Sequence, residues 1–194
     1  MVSALCMTAS LTSLTFKEPL LQIRLKQDSL PVWLIGIVFS MDTITFTLTS
    51  IALNCVHESK KNFAKIVSAG VFLFCISLML SGPCPGLFPD KIIIIAVGIL
   101  IGGIGGACIN NNVIPNINQQ AQLLNVQDQN QLKNIIASIN TGAFGFGSIL
   151  GPILASVLQS TVGYRYAFVV VAALVLLVAF GQLYSAYFYK VKNP

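Results

Sequence analysis

Charged residues are scarce in this sequence. They make up 9% of its 194 residues, with six acidic side chains, one histidine and one tryptophan, whereas a soluble globular domain carries about a quarter charged residues. The basic residues are scattered through short connections and form no cluster with aromatic neighbours, which argues against a nucleic-acid partner. The shortage of charge argues against an ordinary water-soluble fold and points to a protein surrounded by lipid.

The sequence also lacks the patterns of disulfide-rich, metal-binding and enzymatic proteins. Its five cysteines have irregular spacings, and four of them lie inside apolar runs, where a thiol behaves as a small hydrophobic group. The glycines of residues 102–106 are not followed by the Lys-Ser/Thr of a phosphate-binding loop. The lone His57 has no second metal ligand or nucleophile nearby. We therefore predict no metal site, no cofactor and no enzymatic activity.

Long apolar runs are what the sequence does contain. Hydrophobic residues make up 55% of it, and its mean hydropathy is +0.81. A helix needs about 20 apolar residues to cross a bilayer, where it satisfies its own backbone groups. We predict an all-α, polytopic membrane bundle of six helices in a single domain, residues 1–194, with the first span interrupted by Lys17, Glu18 and Arg24. The predicted spans are approximately 2–25, 30–55, 64–80, 92–114, 135–158 and 166–189.

The basic residues of the connections are biased toward one side of the membrane. The loops after the second and fourth runs and the C-terminal tail hold Lys60, Lys61, Lys65, Lys133, Lys190 and Lys192. The opposite side holds Arg24, Lys26, Lys91 and Arg165. The positive-inside rule then places both termini in the cytosol. We expect an integral, multi-pass protein of the plasma membrane or of an intracellular vesicle.

Two acidic side chains fall inside the apolar runs, Glu18 in the first and Asp42 in the second. An ionised group in a bilayer is costly unless it faces a partner or a wet cavity, so both are candidates for binding a solute or a proton. The alternative for Glu18 is an ion pair with Lys17 or Lys26 near a helix end. The alternative for Asp42 is a structural hydrogen bond to a nearby threonine or to a neighbouring helix.

Small and polar residues recur along the fourth and fifth apolar runs. Small-xxx-small spacing lets helices pack closely, and amide side chains in lipid turn toward a cavity or another helix. We predict that Asn110, Asn140 and Thr141 line a cavity; the alternative for Asn110 is a structural position near the headgroups. A proline in the fifth run favours a bend. The predicted packing and hinge residues are Gly98, Gly102, Gly106, Gly147, Gly151 and Pro152.

Four segments resemble, in the same order, those of vesicular amine transporters and their polyamine-transporting relatives in the major facilitator superfamily. Residues 16–21 (FKEPLL) are similar to the Phe-x-Glu-Pro-x-Leu of helix seven in that family. Gly98-x-x-x-Gly102, followed by residues 113–115 (VIP), resembles helix ten. Residues 147–152 (GSILGP) resemble helix eleven, and residues 162–168 (VGYRYAF) resemble the opening of helix twelve.

This resemblance covers nearly the whole chain. It implies half of a major-facilitator fold, a six-helix bundle of two inverted three-helix repeats equivalent to helices seven to twelve. In that family the substrate lies near the midplane between two halves, so the chain would supply one wall of the site. Its partner would be a second copy of itself or a separate N-terminal half. By position, Glu18 matches the family's helix-seven glutamate, which is implicated in binding a cationic amine or coupling protons.

The chain departs from the family at other positions. The acid of helix ten falls at Asn110 and the acid of helix eleven at Thr141. The family's Gly-x-x-x-Asp-x-x-Gly-Arg pattern is reduced to residues 50–54 followed by Lys60 and Lys61. These differences argue against proton-coupled exchange of monoamines. We expect secondary transport of a small organic solute, with a cation as one option, by alternating access. The alternative is a non-transporting membrane subunit or truncated paralogue that packs in a larger complex.

Overall fold

The computed structural model describes residues 2–55, 62–84, 89, 91–123 and 129–192. Within these residues the chain forms six α-helices and no β-strand, as the sequence predicts. His57, Lys60 and Lys61 lie outside the described residues. The helices are α1 (Val2–Gln27), α2 (Val32–Cys55), α3 (Phe63–Ser81), α4 (Ile92–Leu123), α5 (Gln129–Val162) and α6 (Tyr164–Lys192).

Five of the helices, α2 to α6, are long and apolar enough to cross a membrane. A helix is the natural state of such a segment, because lipid offers no partner for an unpaired backbone N–H or C=O group. The exposed surface of these helices is rich in large apolar side chains, such as Leu48 at 61% and Phe146 at 66% exposed. These features indicate a multi-pass helical membrane protein.

The first helix is different in composition. Its 26 residues include Lys17, Glu18, Arg24 and Lys26, so it falls outside the set of apolar helices. At about 1.5 Å per residue it is still longer than a hydrocarbon core of about 30 Å, and its crossing of the membrane stays a prediction. Its polar residues are tolerated because much of α1 is buried inside the bundle, with Ser10 and Ser13 among the buried side chains.

Two helices are longer than the apolar runs predict. The predicted spans end at residue 114 and begin again at residue 135, but α4 continues to Leu123 and α5 already begins at Gln129. The spans are shorter than the helices because glutamine is a good helix former, so the helices continue beyond their apolar spans. The helix α4 also continues past Pro115. A membrane helix tolerates the loss of the one backbone hydrogen bond that a proline cannot donate.

The helices pack in an uneven pattern. Helix α1 packs mainly on α5 and α6, α3 packs on α4 and α6, and α2 packs on α4. The centre of the bundle is aromatic, with Phe16 and Phe168 in an edge-to-face contact at a centroid distance of 5.3 Å. Helix α2 lies at the periphery and buries only Ile35 and Val38 among its described residues. It shares few contacts with α1, although the two are neighbours in sequence.

Glycines allow the closest approaches between helices. A Cβ atom on Gly98 would lie 2.7 Å from the backbone nitrogen of Ser81 in α3. A Cβ atom on Gly147 would lie 3.0 Å from the backbone nitrogen of Thr12 in α1. Both glycines were predicted to be packing residues, and the structure places each directly against a neighbouring helix. Pro152 is exposed on α5.

The start of α6 is tied to the end of α3. Gly163 alone connects α5 and α6, and its φ of 82° is a backbone conformation that favours glycine. The Tyr164 hydroxyl then donates a hydrogen bond of 2.7 Å to the carbonyl oxygen of Ser81. The Arg165 Nε–H donates one of 2.8 Å to the carbonyl oxygen of Pro83. These bonds fix the ends of three helices at one side of the bundle.

Candidate functional site

A buried ion pair joins α1 to α2. The Lys17 Nζ atom lies 2.8 Å from Asp42 Oδ1, and the two side chains are 3% and 19% exposed. At this distance the contact is a charge-assisted hydrogen bond, which is stronger than one between neutral groups. The pair bridges two helices that otherwise share few contacts, so it is the principal direct link between them.

Gly102 of α4 makes room for this ion pair. A Cβ atom at that position would lie 3.0 Å from Lys17 Nζ and 3.3 Å from Asp42 Oδ1. The same atom would lie 2.6 Å from the Ser77 hydroxyl of α3, which is buried and has no hydrogen-bond partner. The Lys17 ammonium also lies 5.6 Å from the centroid of the Phe74 ring, within range of a cation–π interaction.

A cavity of about 260 Å³ adjoins Asp42. It lies among α1, α2, α4 and α5, and both charged and amide side chains reach it. Two phenyl rings, those of Phe46 and Phe144, provide its large apolar walls. Its lining residues are Ser10, Leu11, Leu14, Asp42, Thr43, Phe46, Gly102, Gly103, Gly106, Asn110 and Phe144.

The structure brings two predicted site residues, Asp42 and Asn110, to this cavity. The Oδ1 atom of Asn110 is buried without a hydrogen-bond donor, and so is that of Asn140. Asn140 is not a lining residue, but it lies one helical turn before Phe144 and therefore on the same face of α5. Thr141 is exposed and lies away from the cavity.

Glu18 lies outside the cavity as the structure stands. Its side chain is exposed, and it has no ion-pair partner among the described residues. Lys17, the neighbour that could have paired with it, is bound to Asp42 instead. Glu18 is one turn beyond Leu14, a lining residue, so it occupies the same face of α1 near the cavity. Its role in solute binding stays a prediction.

Lys17 is the functional residue that sequence reasoning missed. The sequence nevertheless contains a signal for the pair, because Lys17 lies 12 residues before Ser29 and Asp42 lies 12 residues after Leu30. A tight connection there makes α1 and α2 antiparallel neighbours, so the two lone opposite charges come to the same depth. The alternative of a structural hydrogen bond from Asp42 to a neighbouring helix agrees with this contact, although the partner, Lys17, was not named.

A second, larger cavity of about 540 Å³ lies among α1, α4 and α5. It is lined mainly by apolar side chains such as Leu5, Ile139 and Phe146, with Thr8 as its hydroxyl group. No ionisable group lines it. The smaller cavity therefore has the polar chemistry that binding of a specific solute requires.

No metal-binding cluster accompanies this site in the described part of the chain, where no three His, Cys, Asp or Glu side chains come together. The chemistry of the site is carried by one carboxylate, one ammonium, amides and hydroxyls. Comparison with protein-family models and with curated proteins finds no match to this sequence.

Proposed function

We propose that this chain forms one wall of a solute pathway across a membrane, as half of a secondary transporter. The observation that carries the proposal is the Lys17–Asp42 ion pair beside a cavity, inside a bundle of apolar helices. Ionisable groups at such depth are expensive and characteristically mark substrate or ion pathways. A purely structural bundle could have used apolar residues at both positions without this cost.

The helix packing supports the half-transporter form of this proposal. Helix α1 packs on α5, and α4 packs on α2. Helices α1 and α4 also contact each other, and so do α3 and α6. These pairs are preserved when the first three helices are exchanged with the last three, whereas the α1–α3 and α5–α6 contacts have no counterpart among the described residues. Such an exchange is expected of two inverted three-helix repeats, the arrangement of a major-facilitator half. The sequence resemblance and the packing thus favour the same architecture.

The cavity favours a small organic cation as the solute. Asp42 supplies a negative charge, and the rings of Phe46 and Phe144 supply faces that attract a cation. Asn110 adds an amide that can hydrogen-bond to the rest of the solute. Glu18 would attract the cation from the exposed side of α1. A second half, either another copy of this chain or a separate protein, would close the pathway and rock against this one.

Uptake into proteoliposomes tests this proposal. We expect the reconstituted protein to accumulate at least one of three permanently charged probes, tritiated choline, guanidinium or tetraethylammonium. Asp42→Asn should lower the initial rate at least about tenfold, because loss of a buried charge contact costs 1.4 kcal/mol or more. Thr47→Ala, on an exposed turn of the same helix, should leave the rate unchanged.

Two results would count against the proposal. Equal uptake by the wild-type protein and by Asp42→Asn would remove the site from the pathway. No uptake of any probe, with a monodisperse protein that copurifies with other membrane proteins, would favour the non-transporting subunit.

A further inference from the structure

We infer that Lys17 is an internal counter-ion, which holds Asp42 while the cavity is empty and which a cationic solute displaces. Ser77 then accepts the released ammonium group. This inference rests on the proposed function, since it concerns how the cation site is occupied. It assigns a role in specificity and gating to two side chains, Lys17 and Ser77, that do not line the cavity.

Lys17, Asp42 and the cavity are arranged so that a solute and Lys17 would meet at the same carboxylate. Asp42 lines the cavity, whereas Lys17 is 3% exposed and reaches the same carboxylate without lining it. Lys17 Nζ contacts Oδ1 at 2.8 Å, and an ammonium group on a solute would seek the same negative charge. Two cations that share one carboxylate compete for it, because each raises the electrostatic energy of the other.

The hydroxyl group of Ser77 is a second reason to infer that Lys17 can move. It is fully buried and has no hydrogen-bond partner, which is rare for a side-chain oxygen in a folded protein. Ser77 Oγ and Lys17 Nζ both lie within 3.0 Å of the point that a Cβ atom of Gly102 would occupy. A small rotation about the flexible lysine side chain therefore brings the ammonium to this acceptor. The missing side chain of Gly102 leaves the space for that movement.

Among the described residues, no carboxylate other than that of Asp42 pairs with Lys17. Glu18 follows Lys17 in sequence, but its side chain is exposed. The Phe74 ring, 5.6 Å from Lys17 Nζ, stabilises the ammonium from α3. Among the described residues, the recorded ion pairs are Lys17–Asp42 and Arg24–Asp28. A displaced Lys17 thus has the Ser77 hydroxyl and the Phe74 ring as neighbours. No second carboxylate pairs with it in the part of the chain that the structure describes.

Equilibrium binding to the purified full chain in detergent tests the inference, with the same three tritiated cations as probes. Lys17→Gln removes the competitor and should bind at least one probe at least about tenfold more tightly than the wild-type protein, or 1.4 kcal/mol. Ser77→Ala should bind it more weakly, because the displaced ammonium loses its acceptor. Lys26→Gln removes the same charge from an exposed turn of α1 and should bind as the wild type does.

Lys17→Gln should bind the probe more tightly and Ser77→Ala more weakly. This contrast distinguishes a role in cation binding from a purely structural role. If wild type binds a probe and Lys17→Gln binds it equally or more weakly, the internal counter-ion is excluded while the cation site stands. If Ser77→Ala binds as tightly as wild type, Ser77 is not the acceptor. If no variant binds any probe, the cation site itself fails, and the inference fails with it.

Stability provides a second measurement in case Lys17→Gln folds poorly. That variant leaves Asp42 buried without a counter-ion, so we expect it to melt at a lower temperature than wild type. An excess of a cation that binds should raise its melting temperature more than that of wild type, since binding to the folded state stabilises it. Uncharged mannitol should have no such effect. An equal or smaller shift than in wild type would overturn the inference.

Discussion

Lys17→Gln is expected to lower the free energy of unfolding by about 2 kcal/mol, because it leaves the half-buried carboxylate of Asp42 without its counter-ion. Lys17 is 3% exposed, so water screens the ammonium end of the pair weakly, whereas Asp42, at 19%, reaches the cavity. Replacing both partners by apolar residues, Lys17→Met with Asp42→Leu, should restore most of the stability, because no uncompensated charge remains. Reversible denaturation in mixed detergent micelles measures these differences.

The chain contains a matched control for this experiment. Arg24 and Asp28 form a pair with the same 2.8 Å separation, but their side chains are 21% and 26% exposed. Asp28→Asn should change stability by less than about 1 kcal/mol, as for other accessible pairs. If Lys17→Gln costs no more than Asp28→Asn, the buried pair contributes little to the link between α1 and α2. The double variant should regain stability while losing cation uptake, which separates folding from function.

Gly151→Ala is expected to destabilise the bundle by about 2 kcal/mol, because it forces α5 away from α1. A Cβ atom at this position would lie 2.7 Å from the carbonyl oxygen of Thr12 and 2.8 Å from the backbone nitrogen of Phe16. It would also meet the hydroxyl of Thr15. Backbone atoms cannot rotate aside as a flexible side chain can, so the helices themselves must separate. The same denaturation experiment measures the effect.

Gly145→Ala is the control for this substitution. It lies on the same helix, but a Cβ atom there meets nothing within 4 Å. Alanine is a better helix former than glycine by up to about 1 kcal/mol, so this variant should be as stable as wild type or slightly more stable. A loss at Gly145 as large as that at Gly151 would mean that the close approach of α1 and α5 at Gly151 is not the cause.

The helices were predictable from the sequence because the apolar runs are long and the connections polar. Their ends were less predictable. Hydropathy indicates where the apolar part of a helix ends. Helix α4 continues beyond that point, through Pro115 and a polar, glutamine-rich segment. The helical state of that segment depends on backbone propensity, which the hydrophobic pattern does not measure. The predicted spans are therefore shorter than helices α4 and α5.

The site was predictable only in part. Asp42 and Asn110 could be predicted because a polar side chain in an apolar run is costly in lipid unless it faces a cavity or a partner. Lys17 was set aside as a residue near a helix end, although the α1–α2 connection places it at the depth of Asp42. The significance of Ser77 could not be predicted, since it depends on three helices meeting around Gly102. Contacts of this kind appear only when the packing is known.

If Asp42 and its cavity belong to a solute pathway, the cavity is open to water while the outer face of α2 faces lipid. Thiol labelling tests it most directly, with Thr43→Cys and Ile44→Cys made in a protein whose five native cysteines are replaced by alanine. Thr43 lines the cavity, and its neighbour Ile44 is 56% exposed on the outside of α2. We predict that a charged, membrane-impermeant thiosulfonate modifies Cys at position 43 and spares position 44 in proteoliposomes. Equal modification of both positions, or modification of position 44 alone, would contradict the account.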